Sequence, residues 1–137
     1  MSAETDPDLE RILRETRTVA IVGASASPAR ASHQVWRYLA AASGYELYLV
    51  NPTIDEIDGT PVYPSLADLP VVPDLVDVFR RRDQLPSVLA DTIAVGAKVL
   101  WLQLGLADEQ LATRGRAAGL DVVMDRCLKV DHARQLA

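Results

Sequence analysis

Short apolar runs without helical spacing alternate with amphipathic segments along this chain, and the alternation sets the expected elements. Leu9, Ile12, Leu13 and Thr16 share one helical face, so a leading helix is expected, with Asp6 as its cap and Pro7 in its first turn. Thr18-Val-Ala-Ile-Val22 reads as a buried strand. Gly23, small residues and Pro28 then interrupt, and Ser32 is expected to cap a helix that packs Val35, Trp36, Leu39 and Ala42 and ends near Gly44. A second strand, Tyr45 to Val50, stops at Asn51-Pro52, where proline removes the next ladder donor. The polar stretch after it holds one short strand, Thr60-Pro-Val-Tyr63. Ser65-Leu-Ala-Asp68 has capping-box spacing and predicts a short helix. Further on come a strand from Leu75 to Phe79, a helix from Asp83 to Val95 burying Leu85, Val88, Leu89 and Ile93 and ending at Gly96, and a strand from Lys98 to Leu104. A helix from Asp108 to Ala118, closed by Gly119, and a strand from Asp121 to Met124 complete the pattern before Asp125-Arg-Cys-Leu-Lys-Val-Asp-His132.

Strands that alternate with helices and stay apolar throughout are covered on both faces. The expected fold is therefore α/β: a doubly wound, mainly parallel sheet with helices on both sides. In such sheets ligands bind outside the carboxyl ends of the strands, and a strand-loop-helix junction offers unpaired N–H groups beside the positive end of a helix dipole. The junction behind Val22 is the first place to look.

Composition narrows the class. The 137 residues match one domain, taken as residues 1–137 with residues 1–8 expected to be flexible, and 49% hydrophobic against 24% charged residues is a globular balance. A net charge of −5 argues against a sequence-independent nucleic-acid binder, which needs a broad basic surface. Cys127 is the only cysteine, so no intrachain disulfide forms and a reducing compartment is the simpler expectation. With no signal-peptide pattern and no apolar run of membrane-span length, the expected location is cytoplasmic and no membrane partner is expected.

The candidate chemistry lies in three loops. A nicotinamide-dinucleotide fold would read G-x-G-x-x-G at the first, but this chain reads Gly23-Ala24-Ser25-Ala26-Ser27-Pro28 and keeps only the first glycine. Small hydroxyl residues still let a phosphate approach, Ser25, Ser27 and the Ser32 N–H region can donate to it, and Arg30 supplies charge; a plain strand-to-helix loop capped by Ser32 is the alternative. After the second strand stands Asn51-Pro52 in place of the acidic residue that reads a ribose in NAD-binding proteins, and an amide tolerates a phosphate that a carboxylate repels. Arg80, Arg81 and Arg82 come after a buried strand at its carboxyl end, where one or two can face a ligand, since adjacent side chains point apart. No catalytic constellation is legible, and Cys127, His33 and His132 are too sparse for a metal site. Trp36 and Trp101 fall in periodic apolar segments and read as core.

Taken together, Thr18-Val-Ala-Ile-Val-Gly-Ala-Ser25, Val50-Asn-Pro52, Val62-Tyr-Pro-Ser-Leu66, Val76-Asp-Val-Phe-Arg80, Gly96-Ala-Lys-Val-Leu-Trp-Leu-Gln-Leu-Gly105 and Val123-Met-Asp-Arg-Cys127 through His132 resemble the stand-alone CoA-binding protein family. That family is similar to the CoA-binding domain of the succinyl-CoA synthetase α subunit. The resemblance implies a Rossmann-like fold, with coenzyme A or an acyl-CoA as the small-molecule ligand. It implies a site made of Gly23, Ala24, Ser25, Ser27, Arg30, Ser32 and His33 for the pyrophosphate end, Asn51 and Pro52 after the second strand, and Val78, Phe79, Arg80 and Arg81 after the fourth. Ala31 stands where family members often carry proline. The synthetase relies on a phosphorylated histidine of a separate domain and on a partner subunit, so the resemblance does not imply an enzyme.

Non-catalytic binding of CoA is the leading expectation. A small NAD(P)-binding redox protein and a CoA-delivering subunit of an acyl-CoA ligase-like complex are the alternatives, and a protein partner or a homo-oligomer is compatible with either. For Cys127, a small buried hydrophobe is the simpler reading, and a mixed disulfide with the CoA thiol is the alternative.

Overall fold

Along every central strand, side chains alternate between two apolar clusters, which is why helices cover both faces of the sheet. The computed structural model describes residues 8–136. Val19 and Ile21 of β1 (Thr18–Val22) join Leu75 of β5 (Leu75–Val78) and Trp101 of β6 (Val99–Leu102) in the first cluster, under α1 (Leu9–Glu15), α2 (Ala31–Ala42) and α5 (Leu128–Gln135). Ala20 and Val22, with Val76, Val78, Leu100 and Leu102, form the second under α3 (Leu85–Val95) and α4 (Glu109–Ala117). Period-two alternation within an all-apolar run thus feeds two cores at once.

Among the described residues seven strands form the sheet, in the order β3-β4-β2-β1-β5-β6-β7. They are β1, β2 (Glu46–Val50), β3 (Glu56–Ile57), β4 (Thr60–Tyr63), β5 (Leu75–Val78), β6 (Val99–Leu102) and β7 (Asp121–Val123). All pairings are parallel except β3 with β4. The six parallel strands, counted along the chain, stand in the order 3-2-1-4-5-6 of the doubly wound dinucleotide-binding fold. The strand order reverses between β1 and β5. The expected Rossmann-like, mainly parallel architecture is the one observed.

Several expectations need correction. Asp6, Pro7 and the rest of residues 1–7 lie outside the described residues; α1 is capped by Asp8, whose side chain accepts from the Arg11 N–H. The cap of α2 is Arg30, with no side-chain cap bond, and Ser32 lies buried inside the first turn. That helix ends on Ser43, whose N–H and hydroxyl both reach the Leu39 carbonyl, and Ala42 is exposed. The Ser65–Asp68 stretch makes only a 3₁₀ turn, because Ser65 Oγ donates to Asp68 Oδ2 and leaves the helix N–H groups uncapped. A 3₁₀ turn over Arg82–Gln84 likewise precedes α3, which buries Thr92 and leaves Ile93 exposed. Thr92 can face the core because its hydroxyl donates to the Val88 carbonyl one turn back, at 2.7 Å.

Two elements were not anticipated. Asp58-Gly59, at φ +49° and +81°, makes the two-residue turn between β3 and β4, both residues having the left-handed backbone of a type I′ hairpin. Helix α5 begins right after Cys127 and is held by long-range bonds: the Gln103 side-chain carbonyl accepts the Leu128 N–H at 3.1 Å, and Trp101 Nε1 donates to the Arg126 carbonyl at 2.8 Å.

Candidate functional site

At the carboxyl edge of the sheet, β1 and β5 meet so closely that only glycine fits between them. Gly23 takes φ +91°, and a Cβ there would lie 2.5 Å from the Phe79 carbonyl oxygen. The ladder closes around this point, with Phe79 N–H donating to Val22 and the N–H groups of Gly23 and Ala24 both reaching the Val50 carbonyl. Directly above lies a crevice of about 730 Å³, at the place where the strand order reverses.

On one side the crevice is bounded by Gly23, Ala24, Ser25 and the first turn of α2, with Arg30, Ser32 and Gln34. Arg30 has extended backbone and no capping side chain, so the first N–H groups of a 12-residue helix open toward the crevice without a side-chain acceptor. Ser25 Oγ accepts the Ser27 N–H at 3.1 Å, which rounds the loop and leaves the hydroxyl proton free to donate. Asn51 is committed inside the protein: its Nδ2 donates to the Ala24 carbonyl at 2.8 Å and its Oδ1 accepts from the N–H and hydroxyl of Thr53. The amide ties the loop after β2 to the loop after β1 and presents no charge.

Arg80 lines the floor beside Phe79, and its buried Nε has no hydrogen-bond partner among the described residues. An N–H in that state is a donor awaiting an acceptor. The far side is made by Gln103, Leu104 and Leu106 after β6 and by Cys127, Lys129 and Val130 at the start of α5. Among the described residues eighteen line the crevice; three of them are cations, Arg30, Arg80 and Lys129, and none is a carboxylate. In a chain of net charge −5, that makes a locally basic cleft.

Eight of the thirteen residues expected at the site meet here: Gly23, Ala24, Ser25, Arg30, Ser32, Asn51, Phe79 and Arg80. The other five do not line the crevice. Ser27, Pro52 and Arg81 are exposed. Val78 points to the opposite face, into the core under α3 and α4, because strand side chains alternate. His33 is turned away to Asp58 of the hairpin, 3.0 Å from Nε2 to Oδ2, and packs edge-on against Trp36. Trp36 and Trp101 are buried, as expected.

The residues beyond β6 were missed. A signal existed for Gln103 and Leu104, since they come after a central parallel strand just as Phe79 and Arg80 do. None existed for Lys129 and Val130, because α5 depends on contacts remote in sequence. Cys127 is half-buried on the crevice wall instead of sealed in the core. His132 lies away from the crevice, shares a 2.9 Å hydrogen bond with Tyr38 Oη, and has its pKa lowered by burial. Arg126 grips the buried Asp131 through Nε and Nη2, each at 2.8 Å, which fixes the first turns of α5.

One buried group stands apart. Asp77, fully buried in β5, has neither carboxylate oxygen hydrogen-bonded, and it lies in register between Ile21 and Trp101. Burial holds its pKa well above the usual carboxylate range.

A family model described as a CoA binding domain matches residues 17–133. An uncharacterised protein of Bacillus subtilis, YneT, is 39% identical over 133 residues, covering 97% of this chain and 98% of that one. A solved structure of a hypothetical protein from Pyrococcus horikoshii superposes with a TM-score of 0.89 at 35% identity, covering 95% of this chain and 91% of that one. A dinucleotide-forming acetyl-coenzyme A synthetase from Ca. Korarchaeum cryptofilum is 27% identical with a TM-score of 0.73, over 84% of this chain and 27% of that protein. Among the described residues no helix is long and apolar enough to cross a membrane.

Proposed function

The chain belongs to the CoA-binding domain family, and from that premise we propose that it binds coenzyme A, without chemistry of its own, in the crevice above Gly23. The observation that carries the reading is the charge of that crevice: three cations and no carboxylate in a net-acidic chain. Coenzyme A is a tri-phosphorylated ligand and needs such a cleft. Its pyrophosphate belongs at the loop from Gly23 to Ser25 and the uncapped start of α2, where N–H groups and a serine hydroxyl converge. Arg80 is the residue proposed to read the 3′-phosphate, through a fork whose Nε is unpartnered. Asn51, engaged with Ala24 and uncharged, leaves the phosphorylated ribose unopposed.

Calorimetry with CoA, dephospho-CoA, NAD and NADP tests the reading. CoA is expected to bind, NAD is not, and Arg80→Ala is expected to lose about tenfold or more for CoA, the worth of one charge-assisted hydrogen bond, and much less for dephospho-CoA. Tight NAD binding without CoA binding would sink the proposal, and equal losses on both ligands would remove Arg80 from the 3′-phosphate.

A second reading, delivery of CoA to a ligase-like partner, draws on the acetyl-coenzyme A synthetase, of whose chain this one spans 27%. Co-purification of a ligase-like subunit with the tagged protein would favour it.

A further inference from the structure

Five large apolar side chains stand exposed among the described residues, and two of them, Leu104 at 64% and Val130 at 43%, line the same far side of the crevice. Leu106 and the half-buried Cys127 continue the same wall. An apolar lip of this kind is costly to leave in water, and it is continuous with a pocket whose opposite side is built for anions.

The strand order sets the distance between the two ends. Gly23 comes after β1 and Leu104 after β6, with β5 between them, so the ends stand two ladder spacings apart, about 10 Å. A ligand whose phosphates sit over Gly23 and the start of α2 must send its uncharged arm along the sheet edge, past Phe79 and Gln103, to reach the lip. The sulfur of coenzyme A lies at the end of such an arm, and in a thioester a hydrocarbon chain extends beyond that sulfur.

Resting on the CoA-binding reading, we infer that Leu104, Leu106 and Val130 form an acyl subsite, and that the protein takes a short-chain acyl-CoA thioester in preference to free CoA. The acyl chain covers Leu104 and Val130, removing from water the two exposed apolar side chains of the crevice. Polar contacts at the other end hold the nucleotide and are indifferent to chain length. The lip is open to solvent, so the subsite grades chains by the area they cover and does not select one length.

Calorimetry with CoA, acetyl-CoA, butyryl-CoA and hexanoyl-CoA reads this directly. Affinity is expected to rise about two- to fourfold for each methylene covered, with an increasingly negative heat-capacity change. In the Leu104→Asn, Val130→Asn double variant, both positions being exposed, the hexanoyl-to-CoA affinity ratio is expected to collapse to within about twofold. A wild-type series that binds CoA but stays flat overturns the subsite and leaves CoA binding standing. A series as steep in the double variant as in the wild type also overturns it, because the chain then lies elsewhere. If sedimentation shows a dimer that the double variant dissociates, and the series is flat, a second copy covers the lip and the subsite falls. Failure of CoA and every thioester to bind overturns the CoA reading itself.

Discussion

Two residues concentrate the physics of this site. Gly23 holds the left-handed backbone against the Phe79 carbonyl, so Gly23→Ala adds both a φ that L residues avoid and a backbone contact that cannot yield. The variant should lose at least ~2 kcal/mol in urea unfolding; a loss below half of that would show that β1 and β5 can part cheaply. Asp77 is the second. Its folded pKa is raised by burial, so between the ordinary carboxylate value and that raised value the folded state binds the extra proton and stability falls as pH rises. Asp77→Asn removes the titration while keeping the shape. The stability of the variant relative to wild type should therefore increase with pH in urea titrations begun just above the ordinary carboxylate value and level off once the raised value is passed, and a constant difference would mean that the carboxyl does not change ionisation on folding. Neither effect is legible in the sequence, where Gly23 is one glycine in a degenerate motif and Asp77 an ordinary polar residue inside a strand.

At the scale of elements, α2 is the informative case. Ser32 has the chemistry of a cap, yet the chain turns into the helix two residues earlier, at Arg30, and the serine is drawn into the buried first turn. The helix start is thereby left open toward the crevice. Ala31 is then the first helical residue, and Arg30 before it already has the extended backbone, φ −84° and ψ 144°, that precedes proline. Ala31→Pro should stabilise the protein by ~0.5–1 kcal/mol through the unfolded chain, seen as a rise of a few degrees in Tm. A fall in Tm would show that the Ala31 N–H has a bond in the free protein. Helices α3 and α4 were foreseen because their terminators and caps are local: Gly96 is left-handed at the end of one and Asp108 accepts from Leu111 N–H at the start of the other. Helix α5 was not, because its supports come from Gln103 and Trp101, 25 residues away.

For the whole molecule, the opposition between net charge and crevice charge makes a measurable statement. A chain of −5 repels an anionic ligand at long range, while Arg30, Arg80 and Lys129 attract it within the cleft. Arg30, Arg80 and Lys129 line the cleft itself, whereas charges farther off than a Debye length, about 8 Å at physiological salt, are screened, so the local attraction dominates once the ligand is seated. Raising salt from about 0.05 to 0.5 M should weaken CoA several-fold and weaken dephospho-CoA less, by calorimetry, as the Debye length shrinks. An affinity that grows with salt would show that the net negative field governs instead.

What could be settled without coordinates was whatever local pattern decides. Apolar runs that alternate with amphipathic segments force strands covered on both faces, and with them a parallel sheet, its helices and its ligand edge. The loop after each strand could be named for the same reason, which is why Gly23, Ser25, Asn51 and Arg80, named from the sequence, line the crevice. Folding decided the rest, because it depends on which distant groups come within bonding reach. The strand order brings the ends of β6 and α5 beside those of β1 and β5 and adds Leu104, Cys127, Lys129 and Val130 to the crevice. The hairpin at Asp58 turns His33 away from the crevice, and strand alternation sends Val78 to the far core. A chain can spell its elements residue by residue. Which side chains then share one cavity is a property of packing, and no single stretch of sequence carries it.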